Sequence, residues 1–540
     1  MELLTRPKTL LLLILLIACF LRIFLLDKFP AGLQVDEALI VYNAYTLSQE
    51  ASDAFGNYFP VHLVGYGWGE NAFLSYLLVL PIKIFGLSHF QFFRVIPVFF
   101  NLLLLLFIYL LVKELFQQKI ALLTAFLLAL SPWNIALARL LFNVSFLPLF
   151  FIAGSFFLIK GLKTTKNYHY FLAAIIWGLS FYVYASSFIW LPILLVLIVF
   201  SFKDWLKKIK LANYFSFFVP LIIIALPIFL FYLKNQFGIF ANFDKIAFFS
   251  LPNLAHTRLD EVSIFHTPLY LALPLLIISY FLHYNPYFLF FYGNSLLLSP
   301  HTGLVYLFEI PFICLGIILS LKNFKEPSSK FIILWLFLAA LPAAFTMESV
   351  PHPLRFTTAM GLLEIFAALG FIYFWQIKFK EKRKLIYALS IFAVINFAFF
   401  CYDFYVLYPK SSSPVFHYQD QAISEYIRDN YNNYDQFFLI KVPGASNLWP
   451  YNFLVYAQYP VQQFQAQEKN LIGTNQRFAK LSFGLLAYFQ NISQPKPESR
   501  VLYFYPVKGN RETGFLSDKK IIKEFYDLDG QVAVVAAKAR

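Results

Sequence analysis

The stretch FFRVIPVFFNLLLLLFIYLLV (92–112) carries a single charge, Arg94, in 21 residues. A helix needs about 20 mostly apolar residues to cross the hydrocarbon core of a bilayer, so this stretch predicts a membrane span. The rest of the chain has the same character, because 60% of its 540 residues are hydrophobic and only 13% are charged. Soluble domains have about 25% charged residues. The composition therefore excludes a soluble enzyme, a disordered chain and a nucleic-acid-binding module.

Ten further stretches resemble 92–112 in hydropathy and length, which predicts an α-helical polytopic membrane protein of about eleven spans. Two more apolar stretches are interrupted by proline and polar residues: 71–87, which we predict to be an interfacial or half-inserted helix, and 264–292, which we predict to be a re-entrant or surface hairpin. The predicted spans are 9–26, 92–112, 119–133, 144–160, 169–184, 186–202, 213–233, 303–321, 330–346, 356–377 and 384–402.

Charge sets the predicted orientation. The formal net charge is +14, and Lys and Arg concentrate in alternate loops. Cytoplasmic loops are the ones enriched in Lys and Arg, so we expect the N-terminus inside and the C-terminus outside a plasma membrane. This arrangement places two long loops outside, 27–91 and 234–302.

The three cysteines, Cys19, Cys314 and Cys401, lie in apolar runs and predict neither a disulfide framework nor a cysteine metal site.

Hydropathy falls after Asp403, so we divide the chain into a transmembrane domain (1–402) and an extracytoplasmic domain (403–540). Apolar runs typical of strands alternate there with stretches typical of helices, which predicts a small α/β domain. The predicted strands are 437–442, 501–505 and 532–535, and the predicted helices are 419–430 and 519–526.

The first outer loop contains QVDEALIVYNAY (34–45), in which Pro30 and Gly32 precede a new helix that begins near Asp36. Asp is a good helix N-cap, so one interpretation of Asp36 is structural. The other is a carboxylate held at the membrane surface as a general base. Asp53 begins a turn and is interpreted as structural, and Tyr42 and Trp133 are assigned first to an interfacial aromatic belt.

Several segments together resemble the GT-C glycosyltransferases, and most closely the branch of protein O-mannosyltransferases and the lipid A aminoarabinose transferase. Their order and spacing carry the resemblance, which covers most of the membrane part. The segments are QVDEALIVYNAY (34–45), DAFGNYFPV (53–61), SYLLVLPIKIFGLSHFQFFRVIP (75–97), SPWNIALARLLFN (131–143), HYNPYFLFFYGN (283–294), SPHTGLVYLFEIP (299–311), VPHPLRFTTAMGLLEIFAALG (350–370) and YQDQAISEYIRDN (418–430).

The resemblance implies a polyprenyl-phosphate sugar as donor, an acceptor hydroxyl on the outer face, and inversion at the anomeric carbon. Asp36 matches the catalytic acidic residue of the family, and Glu37 matches its neighbour. Polyprenyl phosphate is a good leaving group, so one base and cations for the departing phosphate suffice. No cofactor is expected, and the scattered histidines predict no metal site.

Six residues are candidates for binding substrate: Arg355, His352, Arg258, Arg139, Asn143 and Glu70. Arg355 is the first, because its planar guanidinium suits a phosphate, although an arginine at the start of a span also snorkels to the head groups. His352 either assists the phosphate or caps the loop. Arg258 and Arg139 are secondary candidates, with charge balance in the loops as the alternative.

Two positions depart from the family pattern. Many relatives have a second acidic residue about where Asn143 stands, and an amide cannot take a proton at neutral pH. The relatives' Lys-Pro-Pro is replaced by Glu70-Asn71-Ala72. Glu70 supplies the missing charge, or the acceptor differs, or activity is reduced.

The prediction is a membrane glycosyltransferase, either a hexosyl- or a pentosyltransferase, whose partners are the lipid-linked donor, membrane lipids and an acceptor protein, lipid or glycan. One alternative is a polysaccharide or lipid transporter, which would need a polar path through spans that are strongly apolar here. Another is a non-catalytic scaffold with a partner-binding outer domain, an interpretation that Asn143 keeps open.

Overall fold

The chain folds into two compact units that interleave along the sequence. The first unit comprises residues 1–24, 94–233 and 259–406, and the second comprises residues 25–93, 234–258 and 407–540. The computed structural model describes residues 6–63, 70–236, 269–293, 298–299, 301–346, 349–378, 380–440, 450–466, 482–483, 486–489, 500–507 and 516–539.

Helices dominate the first unit and strands occur in the second. The α-helices are α1 Pro7–Ile23, α2 Val35–Glu50, α3 Phe73–Phe85, α4 Val95–Leu115, α5 Gln118–Leu130, α6 Pro132–Leu137, α7 Leu147–Thr164, α8 Asn167–Val183, α9 Ser187–Ser201, α10 Lys203–Leu206, α11 Leu211–Gln236, α12 Leu269–Leu282, α13 Pro286–Phe290, α14 Ile310–Lys322, α15 Pro327–Leu338, α16 Leu341–Ala344, α17 Leu362–Gln376, α18 Lys382–Tyr402, α19 Tyr408–Ser412, α20 Tyr418–Asp429, α21 Pro450–Tyr456 and α22 Val461–Ala466. The strands are β1 His62–Leu63, β2 Glu70–Asn71, β3 Gln436–Ile440, β4 Ser482–Phe483, β5 Leu486–Phe489, β6 Val501–Pro506, β7 Lys519–Tyr526 and β8 Val532–Ala539.

Within the described residues, seven helical segments are long and apolar enough to cross a membrane. The predicted class, an α-helical polytopic membrane protein, is confirmed, and the count of eleven spans is not. Predicted spans such as α5 and α9 are shorter helices, and the stretch 270–290, predicted as a hairpin, qualifies as a span by length and composition. The seven segments are Leu87–Leu115, Asn143–Thr164, Leu211–Lys234, Tyr270–Phe290, Pro327–Ala344, Arg355–Gln376 and Lys382–Ser412.

In the first unit, α14 and α17 pack with their backbones in direct contact. A Cβ atom added at Gly316 would overlap the carbonyl oxygen of Phe366, and one added at Gly370 would overlap the carbonyl oxygen of Phe312. Small residues at such a crossing allow the close approach that packs helices in a membrane, where lipid removes the hydrophobic driving force. The two glycines therefore set the distance between α14 and α17.

We expect Gly316→Ala to destabilise the protein by about 1–3 kcal/mol, because a backbone carbonyl cannot move aside without separating the helices. Gly161→Ala is the matched control, since its new Cβ would lie 3.1 Å from the ring of Tyr170, a side chain that can tilt by a few tenths of an ångström. Thermal melting in detergent measures both. Equal loss in the two variants would contradict the assigned role of Gly316.

In the second unit, a six-stranded mixed sheet has the order β4-β5-β3-β6-β8-β7. Strand β3 pairs in parallel with β5 and β6, while β8 runs antiparallel to β6 and β7. The strands predicted at 501–505 and 532–535 are confirmed, as is the described part of 437–442. The helix predicted at 419–430 is α20.

The helix predicted at 519–526 is wrong, because this segment is the edge strand β7. Its Lys and Glu residues suggest a helix locally, but pairing with β8 overrides that preference. Of its eight residues only Phe525 is fully buried, and lysines on an edge strand discourage pairing with another chain.

The segment between α1 and α4 contributes two helices to the second unit. The predicted helix at 71–87 is α3, which packs against α2. Ser75 Oγ donates to the carbonyl of Ile40 at 2.9 Å, which ties the two helices together.

Candidate active site

Helix α2 begins with a capping box in which Gln34, not Asp36, is the N-cap. Gln34 Oε1 accepts the backbone N–H of Asp36 at 2.6 Å, and Glu37 Oε2 accepts the backbone N–H of Gln34 at 3.0 Å. These two bonds satisfy N–H groups at the start of the helix. The interpretation of Asp36 as the N-cap is therefore wrong, because Gln34 and Glu37 form the capping box.

The chain that leads into α2 is anchored by residues of the C-terminal part of the same unit. The backbone N–H of Leu33 donates to the hydroxyl of Tyr456 at 2.8 Å, and Asn452 Nδ2 donates to the carbonyl of Leu33 at 2.8 Å. Gly32 has a φ of 94°, and a Cβ there would overlap the carbonyl oxygen of Phe416. Asp36 is thus held, half-buried, at the second residue of a helix whose start is fixed from two sides.

The other acidic residues of the first loop have structural surroundings. Glu37 is fully buried behind the capping box. Asp53 Oδ1 accepts the backbone N–H groups of Phe55 and Asn57, each at 2.9 Å, so its assignment as a turn residue is confirmed. Glu70 is half-buried in strand β2, where it pairs with Leu63.

In the first unit, four polar side chains meet beside the start of the span that contains Arg355. His283 is buried; its Nδ1 lies 2.7 Å from the carbonyl of Ser279, so Nδ1 carries the proton and Nε2 accepts the backbone N–H of His352 at 3.2 Å. Arg355 Nη1 donates to Thr346 Oγ1 at 3.0 Å. The loop that carries Arg355 is thereby tied to α12 through His283.

His352 is a neutral imidazole in this cluster. Burial, the positive charge of Arg355 and the neighbouring imidazole of His283 together lower the pKa of His352 to about 3. Its Nδ1 is buried and has no hydrogen-bond partner in the part of the chain that the structure describes. His352 therefore offers a hydrogen bond, not a positive charge, to a ligand.

Two of the remaining predicted binding residues, Arg139 and Asn143, are buried in the first unit, and the short helix that begins at Asn143 contacts the short helix that begins at Arg355. Arg139 is fully buried, and its Nη1 donates to the carbonyls of Arg22 and Phe24 at 3.2 and 2.8 Å, so it stabilises the end of α1. Asn143 is buried at the start of the short helix before α7. Arg258 lies outside the described residues.

The first unit also contains a polar group around Asp403 that the sequence analysis did not predict. Asp403 is fully buried where α18 passes into a π-helical turn, Asp403–Leu407. Its Oδ2 accepts the hydroxyl of Ser299 and the backbone N–H of His301, the latter at 3.0 Å, and its Oδ1 lies 2.8 Å from His301 Nδ1. The Asp403 carboxylate thus keeps the proton of the His301 imidazole on Nδ1 and leaves its Nε2 as a proton acceptor. The His301 side chain is 63% exposed.

Comparisons with known proteins agree with this architecture. Residues 72–230 match the family described as dolichyl-phosphate-mannose-protein mannosyltransferase. The structure of ArnT from Cupriavidus metallidurans bound to undecaprenyl phosphate superposes with a TM-score of 0.54 at 12% identity, and the match covers 98% of this chain and 97% of ArnT. This protein has the GT-C fold.

The GT-C fold is shared with a second solved structure, the oligosaccharyltransferase AglB from Archaeoglobus fulgidus in complex with an inhibitory peptide and a dolichol-phosphate. Its TM-score is 0.51 at 14% identity, and the match covers 85% of this chain but 65% of AglB, so the chain spans less than two thirds of that relative. A search of curated protein sequences finds no match.

Sequence patterns did not reveal the roles of His283 and Asp403, for one reason. Each has its partner far away in the chain: His352 comes 69 positions after His283, and Asp403 comes 102 positions after His301. The one local feature that could have pointed to Asp403 is its position as a carboxylate at the end of an apolar run.

Among the described residues, no group of three His, Cys, Asp or Glu side chains is arranged to hold a metal ion.

We expect Asp403→Asn to cost about 1–3 kcal/mol of stability, because an amide has one acceptor oxygen and leaves buried donors without a partner. Ser299→Ala, which removes one of the three donors, should cost about 1 kcal/mol. Thermal melting of the two variants in the same detergent tests the difference. If Asp403→Asn melts no lower than Ser299→Ala, Asp403 is not the centre of this group.

Proposed function

We propose that this GT-C protein is a membrane glycosyltransferase that moves a sugar from a polyprenyl-phosphate donor to an acceptor hydroxyl on the outer face, with inversion at the anomeric carbon. The observation that carries the proposal is the placement of Asp36, a half-buried carboxylate at the start of a helix whose cap is supplied by Gln34. Two proteins with this fold have been seen with polyprenyl phosphates, ArnT with undecaprenyl phosphate and AglB with dolichol-phosphate.

Asp36 is the proposed general base. The capping box of Gln34 and Glu37 and the bonds from Tyr456 and Asn452 hold the helix start. A base must be fixed in position to take a proton in the transition state, and this frame supplies the positioning. Glu37, the neighbouring acid, is committed to the cap and has a supporting role.

Arg355 is the proposed partner of the departing phosphate. Its guanidinium has a planar array of donors suited to phosphate oxygens, and one of its nitrogens is oriented by Thr346. Neutral His352 adds a hydrogen bond from its buried nitrogen. His283 positions the loop that carries both residues.

The reaction balances without a cofactor. A bond forms between the acceptor oxygen and the anomeric carbon while the bond from that carbon to the phosphate oxygen breaks. The hydroxyl proton passes to Asp36, and the electron pair of the broken bond leaves on the phosphate, where Arg355 stabilises the charge. A single displacement of this kind inverts the configuration.

The test is transfer in proteoliposomes. Purified protein is supplied with radiolabelled mannosyl, glucosyl or aminoarabinosyl polyprenyl phosphate and with envelope extract from a strain that lacks the protein. We expect one donor to release polyprenyl phosphate and to label one class of acceptor, which mass spectrometry then identifies. Mass spectrometry of glycans and glycolipids from the same strain should show the corresponding sugar missing.

Two results would overturn the proposal. One is the absence of transfer from every donor although undecaprenyl phosphate binds, which would favour the scaffold. The other is labelled product with retained configuration, which would require a covalent intermediate instead of a single displacement.

A further inference from the structure

A small apolar cavity lies at one end of the first unit, where α7 and α9 end and where α8 and α11 begin. Its wall residues lie within about two turns of these helix ends, and the segment that contains α10 completes the wall. Val199, Tyr214 and Phe218 in the wall are exposed, so the cavity opens on the outer surface of the helices. In the predicted topology this end faces the cytoplasm.

The size and the wall of the cavity suit one hydrocarbon chain. Its volume is about 100 Å³, and its wall consists mainly of Leu, Ile, Val and Phe side chains. An apolar cavity of about 150 Å³ is enough to hold one benzene molecule. This cavity therefore has room for a segment of one acyl chain, and the rest of a lipid has to lie outside it.

The segment KDWLKKIK (203–210) forms the rim of the cavity on the side of the helix ends. Leu206 and Ile209 are wall residues, whereas Lys208 and Lys210, on either side of Ile209, are exposed. A lysine can lay its alkyl stem along apolar surface while its ammonium stays in water. The segment thus places positive charge next to an apolar opening.

Most of this positive charge is free to bind an anion. The one carboxylate of the segment, Asp204, pairs with Lys207 at 3.2 Å. No carboxylate in the described part of the chain pairs with Lys203, Lys208 or Lys210. Since the Asp204–Lys207 pair is exposed, it contributes little to stability, and an anion can compete for Lys207 as well.

Asn213, another wall residue, connects this segment to the loop between α7 and α8. Its Nδ2 donates to the carbonyl of Thr165 at 3.0 Å and to Asn167 Oδ1 at 2.5 Å, and its Oδ1 accepts the backbone N–H of Lys210 at 3.0 Å. The connected loop carries the exposed Lys166. Basic residues from two loops are therefore held beside the same cavity.

We propose that this cavity binds one anionic phospholipid, with a segment of one acyl chain against the apolar wall and the head-group phosphate on Lys208 and Lys210. Basic residues next to a span attract anionic lipids, of which phosphatidylglycerol is one. The head groups of phosphatidylcholine and phosphatidylethanolamine carry a cation beside the phosphate, which the lysines repel. A free phosphate would bind the lysines alone and leave the apolar cavity unused.

The experiment uses the full-length protein in phosphatidylcholine nanodiscs and a phosphatidylglycerol probe with a photoreactive diazirine in one acyl chain. We expect saturable labelling of peptides from 158–170 or 195–218, with unlabelled phosphatidylglycerol as an effective competitor. Phosphatidylethanolamine with the same chains should compete at least about tenfold less well. Glycerol 1-phosphate, which has no acyl chain, should not compete.

Three results of this experiment would overturn the proposal. Equal competition by phosphatidylethanolamine would show that the head-group charge is not recognised. Effective competition by glycerol 1-phosphate would indicate an anion site that does not use the cavity. Saturable labelling confined to other peptides would place the lipid elsewhere on the protein.

The double variant Lys208→Gln/Lys210→Gln removes two exposed charges and should weaken phosphatidylglycerol competition by about tenfold or more. Lys322→Gln/Lys325→Gln is the matched control, because it removes two exposed lysines on the same predicted face that lie outside the cavity wall. The control should bind as the wild type does. Unchanged affinity in the first variant, or an equal loss in both, would contradict the proposal, and neither result depends on glycosyl transfer.

Discussion

Replacing Asp36 by Asn should lower the rate of sugar transfer by about 10²–10⁴-fold, the usual contribution of a general base. An amide of the same shape cannot accept the proton of the acceptor hydroxyl. The helix should remain in place, because Gln34 caps it and its bond comes from the backbone N–H of residue 36, which every residue type but proline supplies. The measurement is single-turnover transfer from the labelled donor, with thermal melting of the same preparation.

Glu37→Gln is the matched control for this loss. Glutamine can accept the backbone N–H of Gln34 as glutamate does, so the capping box survives. We expect a smaller effect on transfer than in Asp36→Asn, because Glu37 supports the helix start and does not take the proton. Transfer at the wild-type rate in Asp36→Asn would remove Asp36 from the chemistry and favour the scaffold.

The second large effect is expected at Arg355. Arg355→Ala should weaken the binding of undecaprenyl phosphate by about 10- to 100-fold, since hydrogen bonds to charged groups contribute about 1.5–3 kcal/mol. Arg355→Lys should lose less, because it keeps the charge but not the planar fork. Binding is measured on protein in nanodiscs, as the saturable displacement of a labelled polyprenyl phosphate by undecaprenyl phosphate.

Two variants control the Arg355 result. Arg383→Ala removes an exposed arginine at the start of α18 and should leave binding unchanged. Thr346→Ala removes the hydroxyl that orients Arg355 and should have an intermediate effect. Wild-type binding in both Arg355→Ala and Arg355→Lys would assign Arg355 to the head groups of the membrane instead.

Local patterns predicted the features that depend on neighbouring residues. The helix that begins near Asp36, the turn at Asp53 and strands β6 and β8 follow from breakers, turn residues and apolar runs. The cap of α2 was misassigned because Gln34 is a less usual cap than aspartate, and only the geometry reveals its bond. Strand β7 was missed because pairing with β8 decides its structure.

Aromatic residues show the same limit. Tyr42 and Trp133 were assigned first to the membrane interface, but both are buried: Tyr42 donates to the carbonyl of Tyr459, and Trp133 stacks on Phe356 with ring centres 5.9 Å apart. A hydropathy scale gives such residues the same value in either place. Their partners lie hundreds of residues away, so composition alone cannot distinguish the two.

By itself, the sequence determined that this is a polytopic helical membrane protein with a mixed C-terminal domain, because hydropathy adds up along a local stretch and lipid admits few backbone structures. Tertiary structure alone decided which polar groups meet: His283 with His352, Asp403 with His301, and Asn213 with Asn167. Such pairs depend on how helices distant in sequence pack, and backbone contacts such as that between Gly316 and Phe366 set that packing.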